Sequence, residues 1–228
     1  MTLILHTISG APRGWRVLLG MSFKGLSPEI HYLNYSEKEH QQPDFLKLNP
    51  RATIPTLETD SGILRDSIAI LAWLDREYPE NPLFGSTSKE TATIWQITME
   101  CCDYLRDSTD QLLSLVFRSS GNVPAENSSE RLKYDAAAEL AHAECRYLEN
   151  ILSDTGPYLS GDRPGAADAI AFPEIRLMQR AVETRHELMS ALGFGYPPDI
   201  YPKVAEWKAR LNDDPGVAAT MPPHWSKT

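Results

Sequence analysis

Two stretches of this sequence carry residues whose types and spacing suit the capture of a small peptide-like ligand. The first is Ile54-Pro55. A residue before proline is driven into an extended conformation, so Ile54 can offer its N–H and C=O as a strand would. Taken alone, Pro55 would more simply start an edge strand. The second stretch is Asp66-Ser67, at the opening of a periodic apolar run through Ile68, Leu71, Ala72 and Leu74. A helix start leaves backbone N–H groups without partners and carries the positive end of the dipole, which suits a carboxylate. Ser67 adds a donor and Asp66 a partner for an ammonium, so the pair fits the head of an α-amino acid. Asp-Ser is equally an ordinary N-cap. With Asp66-Ser67 eleven residues after it, the binding reading of Ile54-Pro55 overtakes the edge strand.

Other chemistries lack residues. The six histidines (His6, His31, His40, His142, His186 and His224) show no paired ligand spacing, so the sequence gives no support for a metal. Cys101, Cys102 and Cys145 cannot form a disulfide framework. Adjacent Cys101 and Cys102 fall in a helical pattern, are expected on different sides of it, and read as small apolar side chains with free thiols.

The elements that must position these residues divide the 228-residue chain in two. Up to about residue 80 the order is strand (3–8), helix (13–23), strand (29–35), short helix (43–48), hairpin (56–65) and helix from Asp66-Ser67, which implies a small mixed sheet with helices on it. A polar, proline-containing connector follows, through Pro79, Pro82 and Gly85. Beyond it, Thr87 and Glu90 have capping-box spacing, and Ile94, Ile97, Cys101, Leu105, Leu112 and Leu115 continue one apolar stripe for about seven helical turns. Residues 130–153, 166–191 and 203–211 add helical patterns without strand-like alternation. The expected fold is α/β plus all-α, with domains at 1–80 and 89–228 and a linker at 81–88.

Hydrophobic residues make up 42% of the chain, enough for a sizeable core, and 31 acidic against 22 basic residues give a formal charge of −9. That balance offers no footprint for nucleic acid or an anionic membrane surface. No apolar run approaches the roughly 20 residues of a membrane span, and the first residues lack the pattern of a secretory signal. The expected location is the cytoplasm.

This arrangement resembles the cytosolic glutathione transferases, bacterial and fungal members among them. The resemblance rests on Asn49-Pro50 through Ile54-Pro55-Thr56-Leu57, on Asp66-Ser67, on Pro12 with Trp15-Arg16-Val17, and on Tyr158 to Asp162 with Asp168. Tyr201 to Trp207 and Pro222-Pro223-His224-Trp225 extend it. It implies a thioredoxin-like first domain with a mixed four-stranded sheet, a cis Ile54–Pro55 bond, and glutathione held by Ile54, Pro55, Asp66 and Ser67. A donor for the glycyl carboxylate is expected among His40, Gln41 and Gln42. Asp168, with Gly165 as an acceptable N-cap, reads as structural, and Arg16 as part of an ion pair.

One position departs from the family pattern. The thiol-activating hydroxyl or thiol of Ser- and Cys-type members aligns with Ala11, which has no donor. Ser9 and Arg13 are the replacement candidates, with the N–H groups at the start of the helix 13–23 beside them, although Ser9 also suits a plain turn. An electrophile pocket between the domains would draw on Ala11, Trp95, Met99, Tyr104, Arg106 and Trp225. The expectation is a homodimeric enzyme that joins a thiol to a small hydrophobic electrophile. The alternatives are a specialised member using glutathione or another cysteine-derived thiol as sulfur donor or in dehalogenation, and a non-catalytic ligand-binding module.

Overall fold

The computed structural model describes residues 2–195 and 200–225. Its first part carries a four-stranded sheet in the order β2-β1-β3-β4, made of β1 (Ile4–Thr7), β2 (Glu29–Tyr32), β3 (Thr56–Thr59) and β4 (Gly62–Arg65). β1 runs parallel to β2, with His6 opposite His31, and antiparallel to β3, with Leu5 opposite Leu57. β3 and β4 form the expected hairpin. A parallel pair needs a crossover, and helix α1 (Pro12–Phe23) supplies it. Pro12 at the first helical position loses no hydrogen bond. Gly14 lets α1 press onto β1, because a Cβ there would lie 1.7 Å from Thr7 Oγ1. Helices α2 (Pro43–Leu48) and α3 (Ser67–Glu77) complete this part, and α3 packs beside α1. The architecture is the thioredoxin-like one expected.

The second part is helical: α4 (Ser88–Glu100), α5 (Arg106–Arg118), α6 (Ser129–Thr155), α7 (Ala166–Thr184), and shorter helices at His186–Ala191, Pro202–Asn212 and Pro215–Ala219. Thr87 and Glu90 make the expected capping box at the start of α4, and the N–H groups of Ser86 and Thr87 hold the Glu90 carboxyl below its ordinary range. The apolar stripe through Cys101 is not one uniform helix. A π-helical turn at Cys101–Leu105 separates α4 from α5. A wider turn shifts the register by one residue. Adjacent Cys101 and Cys102 are both buried, Cys102 against Arg16 and Cys101 toward Glu144. The pattern over 166–191 also divides, at Arg185, whose φ of −137° and ψ of 46° leave the helical region.

The two parts meet along α1 and α7. Arg16 Nη2 lies 2.7 Å from Glu174 Oε1, Thr109 Oγ1 donates to Glu174 Oε2 at 3.2 Å, and both charged side chains are almost wholly buried. This is the ion pair expected of Arg16. Burial pushes the Glu174 carboxyl up, and Arg16 opposes that. Asp168 is structural in the same sense. Its two oxygens accept from the N–H groups of Leu159, Ser160 and Gly165 and from Trp207 Nε1, at 2.7–3.1 Å. It welds the 158–165 turn to α7 and to the helix Pro202–Asn212. No helix of the described residues is long and apolar enough to cross a membrane.

Candidate functional site

Asp66 follows β4 and caps α3 with one carboxylate oxygen, Oδ1, which accepts from Ile68 N at 2.9 Å and Ala69 N at 3.3 Å. Its φ of +74° is unusual for a side chain with a Cβ and costs on the order of 1–3 kcal/mol. Asp66 is exposed, and its Oδ2 accepts no bond among the described residues. Ser67 follows at the first helical position. It is 3% exposed, yet its hydroxyl takes no partner among the described residues. The N-cap reading of Asp66 is therefore correct, but it uses half of the carboxylate and none of Ser67.

The Ile54–Pro55 bond is cis. The loop before it is latched by Asn49, a wholly buried side chain whose Nδ2 donates to Thr53 O at 2.7 Å and Thr56 Oγ1 at 3.2 Å. Arg65 ties the same loop to β4 through Leu48 O. The backbone N–H and C=O of Ile54 have no partner among the described residues, so the strand-like edge foreseen at Ile54 is open.

At the β1–α1 turn, Ala11 is an extended N-cap without a side-chain bond, and Gly14 N and Trp15 N both turn to its carbonyl. Ser9 is half-buried and Arg13 exposed on the first turn of α1. Ser9 Oγ lies 3.1 Å from His224 Nδ1. Trp225 sets its ring edge-to-face on Trp15 at 5.4 Å, with the Arg176 guanidinium 6.0 Å from its centroid. Trp15 Nε1 donates to Thr220 Oγ1 at 2.8 Å. The described C-terminal stretch is thus laid over the turn where the thiol-activating residue was sought. Beside it, a cavity of about 670 Å³ is lined by Arg176, Arg180, Met221 and Trp225.

The other expected site residues are more scattered. His40 stacks on Tyr35 at 5.4 Å, approaches Gln41 Nε2, and keeps a buried Nδ1 without a partner. Gln42 caps α2 without a side-chain bond. Trp95 is taken up by Phe84 of the connector, stacked at 4.1 Å. Met99 and Tyr104 are exposed on α4 and the π turn. Arg106 donates to Cys102 O and pairs with Asp110, both at 3.1 Å. Cys102 links this junction to the α3 start: burial pushes its thiol up, Arg16 opposes, and the charge of Asp66 is near enough to add to the rise. Sequence reasoning does not connect His224, Thr220 or Arg176 with this turn. A single histidine, threonine or arginine far from the turn in sequence gives no local signal for it.

Comparison with known proteins agrees with this geometry. Residues 11–77 match the family described as glutathione S-transferase, N-terminal domain. Glutathione S-transferase A of Pleuronectes platessa is 25% identical over 95% of this chain and 90% of its own. A maleylacetoacetate isomerase of Pseudomonas aeruginosa is 27% identical over 88% of this chain and 86% of its own. A glutathione S-transferase from the Antarctic clam Laternula elliptica superposes with a TM-score of 0.81 and 26% identity, covering 100% of this chain and 95% of that one. The chain is thus similar over most of its length to glutathione S-transferases and to a maleylacetoacetate isomerase.

Proposed function

We propose that this protein is a glutathione transferase-like enzyme that joins the thiol of glutathione, or a closely similar thiol, to a small hydrophobic electrophile. The observation that carries the reading is the half-used start of α3. The Ser67 hydroxyl and one Asp66 oxygen are open beside a helix N-terminus, and the open Ile54 backbone lies on the loop latched to β4. The helix start and Ser67 suit the γ-glutamyl carboxylate, Asp66 its ammonium, and Ile54 the cysteinyl backbone. His40 or Gln41 would reach the glycyl carboxylate, Pro55 shaping the loop between. Residues 1–80 would form the thiol-binding unit, 81–88 the connector, and 89–228 the unit that receives the electrophile.

Catalysis requires the thiol to be held as a thiolate beside the electrophile. Ser9 supplies a hydroxyl donor, Arg13 a positive charge, and the first turn of α1 its dipole. Ala11, Met99, Tyr104, Arg106 and Trp225 would line the electrophile's side, with Trp95 at the margin where Phe84 covers it. The protein would act in the cytoplasm as a homodimer, the small domain of one copy against the long helices of the other. Exposed Phe117, Leu132 and Leu140 supply apolar surface for that contact. A monomeric mass by light scattering at micromolar concentration would refute the dimer.

Ala11 favours a second reading, a module that binds glutathione without turning it over. A conjugation assay with a generic aromatic halide, run beside a calorimetric glutathione titration, separates the two. Binding with turnover supports the enzyme, and binding alone the module. No binding overturns both.

A further inference from the structure

We infer that His224 is a positioning residue for the thiol site, acting through Ser9; the inference rests on the glutathione reading above. Three contacts seat the stretch that carries His224. Trp15 Nε1 donates to Thr220 Oγ1 at 2.8 Å, Trp225 packs on Trp15, and His224 Nδ1 meets Ser9 Oγ at 3.1 Å. A turn from Trp225 N to Pro222 O, 2.9 Å, brings His224 over the β1–α1 loop. The loop is shaped for that approach at Gly10. Its φ is +80°, and a Cβ there would sit 3.0 Å from His224 Cε1 and 3.5 Å from Trp225 Nε1.

The chemistry follows from counting hydrogens. A serine hydroxyl carries one hydrogen and accepts through its lone pairs, while an imidazole nitrogen either donates or accepts. If Nδ1 accepts, the Ser9 hydrogen is spent on the imidazole and nothing remains for a ligand sulfur. If Nδ1–H donates, Ser9 Oγ accepts it and its own hydrogen is free to point at a thiolate. A donating His224 therefore turns an ordinary turn serine into an oriented donor, and polarises its O–H in the same sense. This supplies what Ala11 lacks without moving the backbone. It also explains why a site on the first domain is closed by residues more than two hundred positions later.

The test uses the full chain, with reduced glutathione as the thiol and a generic aromatic halide as the acceptor. Ultraviolet absorbance of bound thiolate gives a readout independent of turnover. His224→Phe keeps a ring against Gly10 but removes the donor. It should lower kcat about ten- to a hundredfold and diminish the thiolate band, while glutathione affinity stays within about threefold, since the bond matters chiefly to the anion. His224→Asn, whose amide can stand near Nδ1, should restore most of both. Ser9→Ala should do the same damage, and Ser9→Ala with His224→Phe no more than either alone, because the two act as one unit. The Trp15–Thr220 bond keeps the stretch docked in each variant. An unchanged thiolate band and kcat in His224→Phe, failure of His224→Asn to rescue, or losses that multiply in the double variant would each overturn the inference. Absence of glutathione binding to the wild type would overturn the underlying reading instead, and is seen before any variant is made.

Discussion

Among the helix starts of the described residues that carry an aspartate, those of α7 and α3 are built to opposite ends. At the start of α7, Asp168 has no exposure and accepts four hydrogen bonds, from three backbone N–H groups and the Trp207 indole. At the start of α3, Asp66 spends one oxygen on two N–H groups and holds a positive φ, with an unpartnered Ser67 beside it. Buried polar groups cost free energy unless satisfied, so a closed set of bonds marks an element of structure. An open set at the edge of a strained turn marks a place for something else to bind. On the proposed reading the same residue type has two roles, and what sets Asp66 apart from Asp214, which also caps its helix with one oxygen, is the positive φ and the unpartnered Ser67 beside it.

The largest expected effect tests the closed end. Asp168→Ala strands three N–H groups and the Trp207 indole, and should cost about 4 kcal/mol or abolish folding, read from denaturant unfolding. Burial also pushes the Asp168 carboxyl above its ordinary value. The native state therefore holds that proton more readily than the unfolded chain. The wild type's advantage over a folded Asp168→Ala variant should shrink as pH rises from about 4 through the raised value. A growing advantage would break the assignment of Asp168 as a desolvated structural acid.

Next in size is the seam between the two parts. Glu174→Ala leaves Arg16 charged and buried without its partner, and should destabilise by about 3–5 kcal/mol. Changing Arg16 and Glu174 together to apolar residues should recover most of that loss, measured by the same unfolding midpoints.

Sequence carried these closed features well. The order of strands and helices, the capping box at Thr87 and Glu90, the Arg16 ion pair and the structural role of Asp168 all depend on local periodicity or on residues few alternatives can satisfy. It failed where geometry is set by a single inserted residue or by a distant contact. The π turn at Cys101–Leu105 has no composition signal, since one extra residue per turn leaves the apolar spacing nearly intact. The division at Arg185 is similarly silent. At the candidate site, Ile54, Pro55, Asp66 and Ser67 can be proposed from sequence because they lie within one short stretch. His224 cannot, because its partner Ser9 is at the other end of the chain.

The open end predicts smaller effects on stability and larger ones on binding. Ser67→Ala should weaken glutathione affinity by about 1.5–3 kcal/mol, roughly ten- to over a hundredfold, while stability changes by no more than about 0.5 kcal/mol. Equal loss of both would place Ser67 with Asp168 among the structural residues. The smallest expected effect is a lack of reaction. Burial pushes the Cys145 thiol up to about 12 and raises Cys101 well above its ordinary value, so neither carries thiolate at neutral pH. Alkylation of the native protein should leave both unlabelled, and labelling of either without unfolding would show that this core opens.

The contrast itself is tested most directly by following backbone amide resonances as reduced glutathione is added. Shifts concentrated at Ile54, Asp66, Ser67 and the Ser9–Arg13 turn, with Leu159, Ser160, Gly165 and Asp168 unmoved, are the predicted result. Saturating glutathione that leaves Ile54 and Ser67 unshifted would contradict the account.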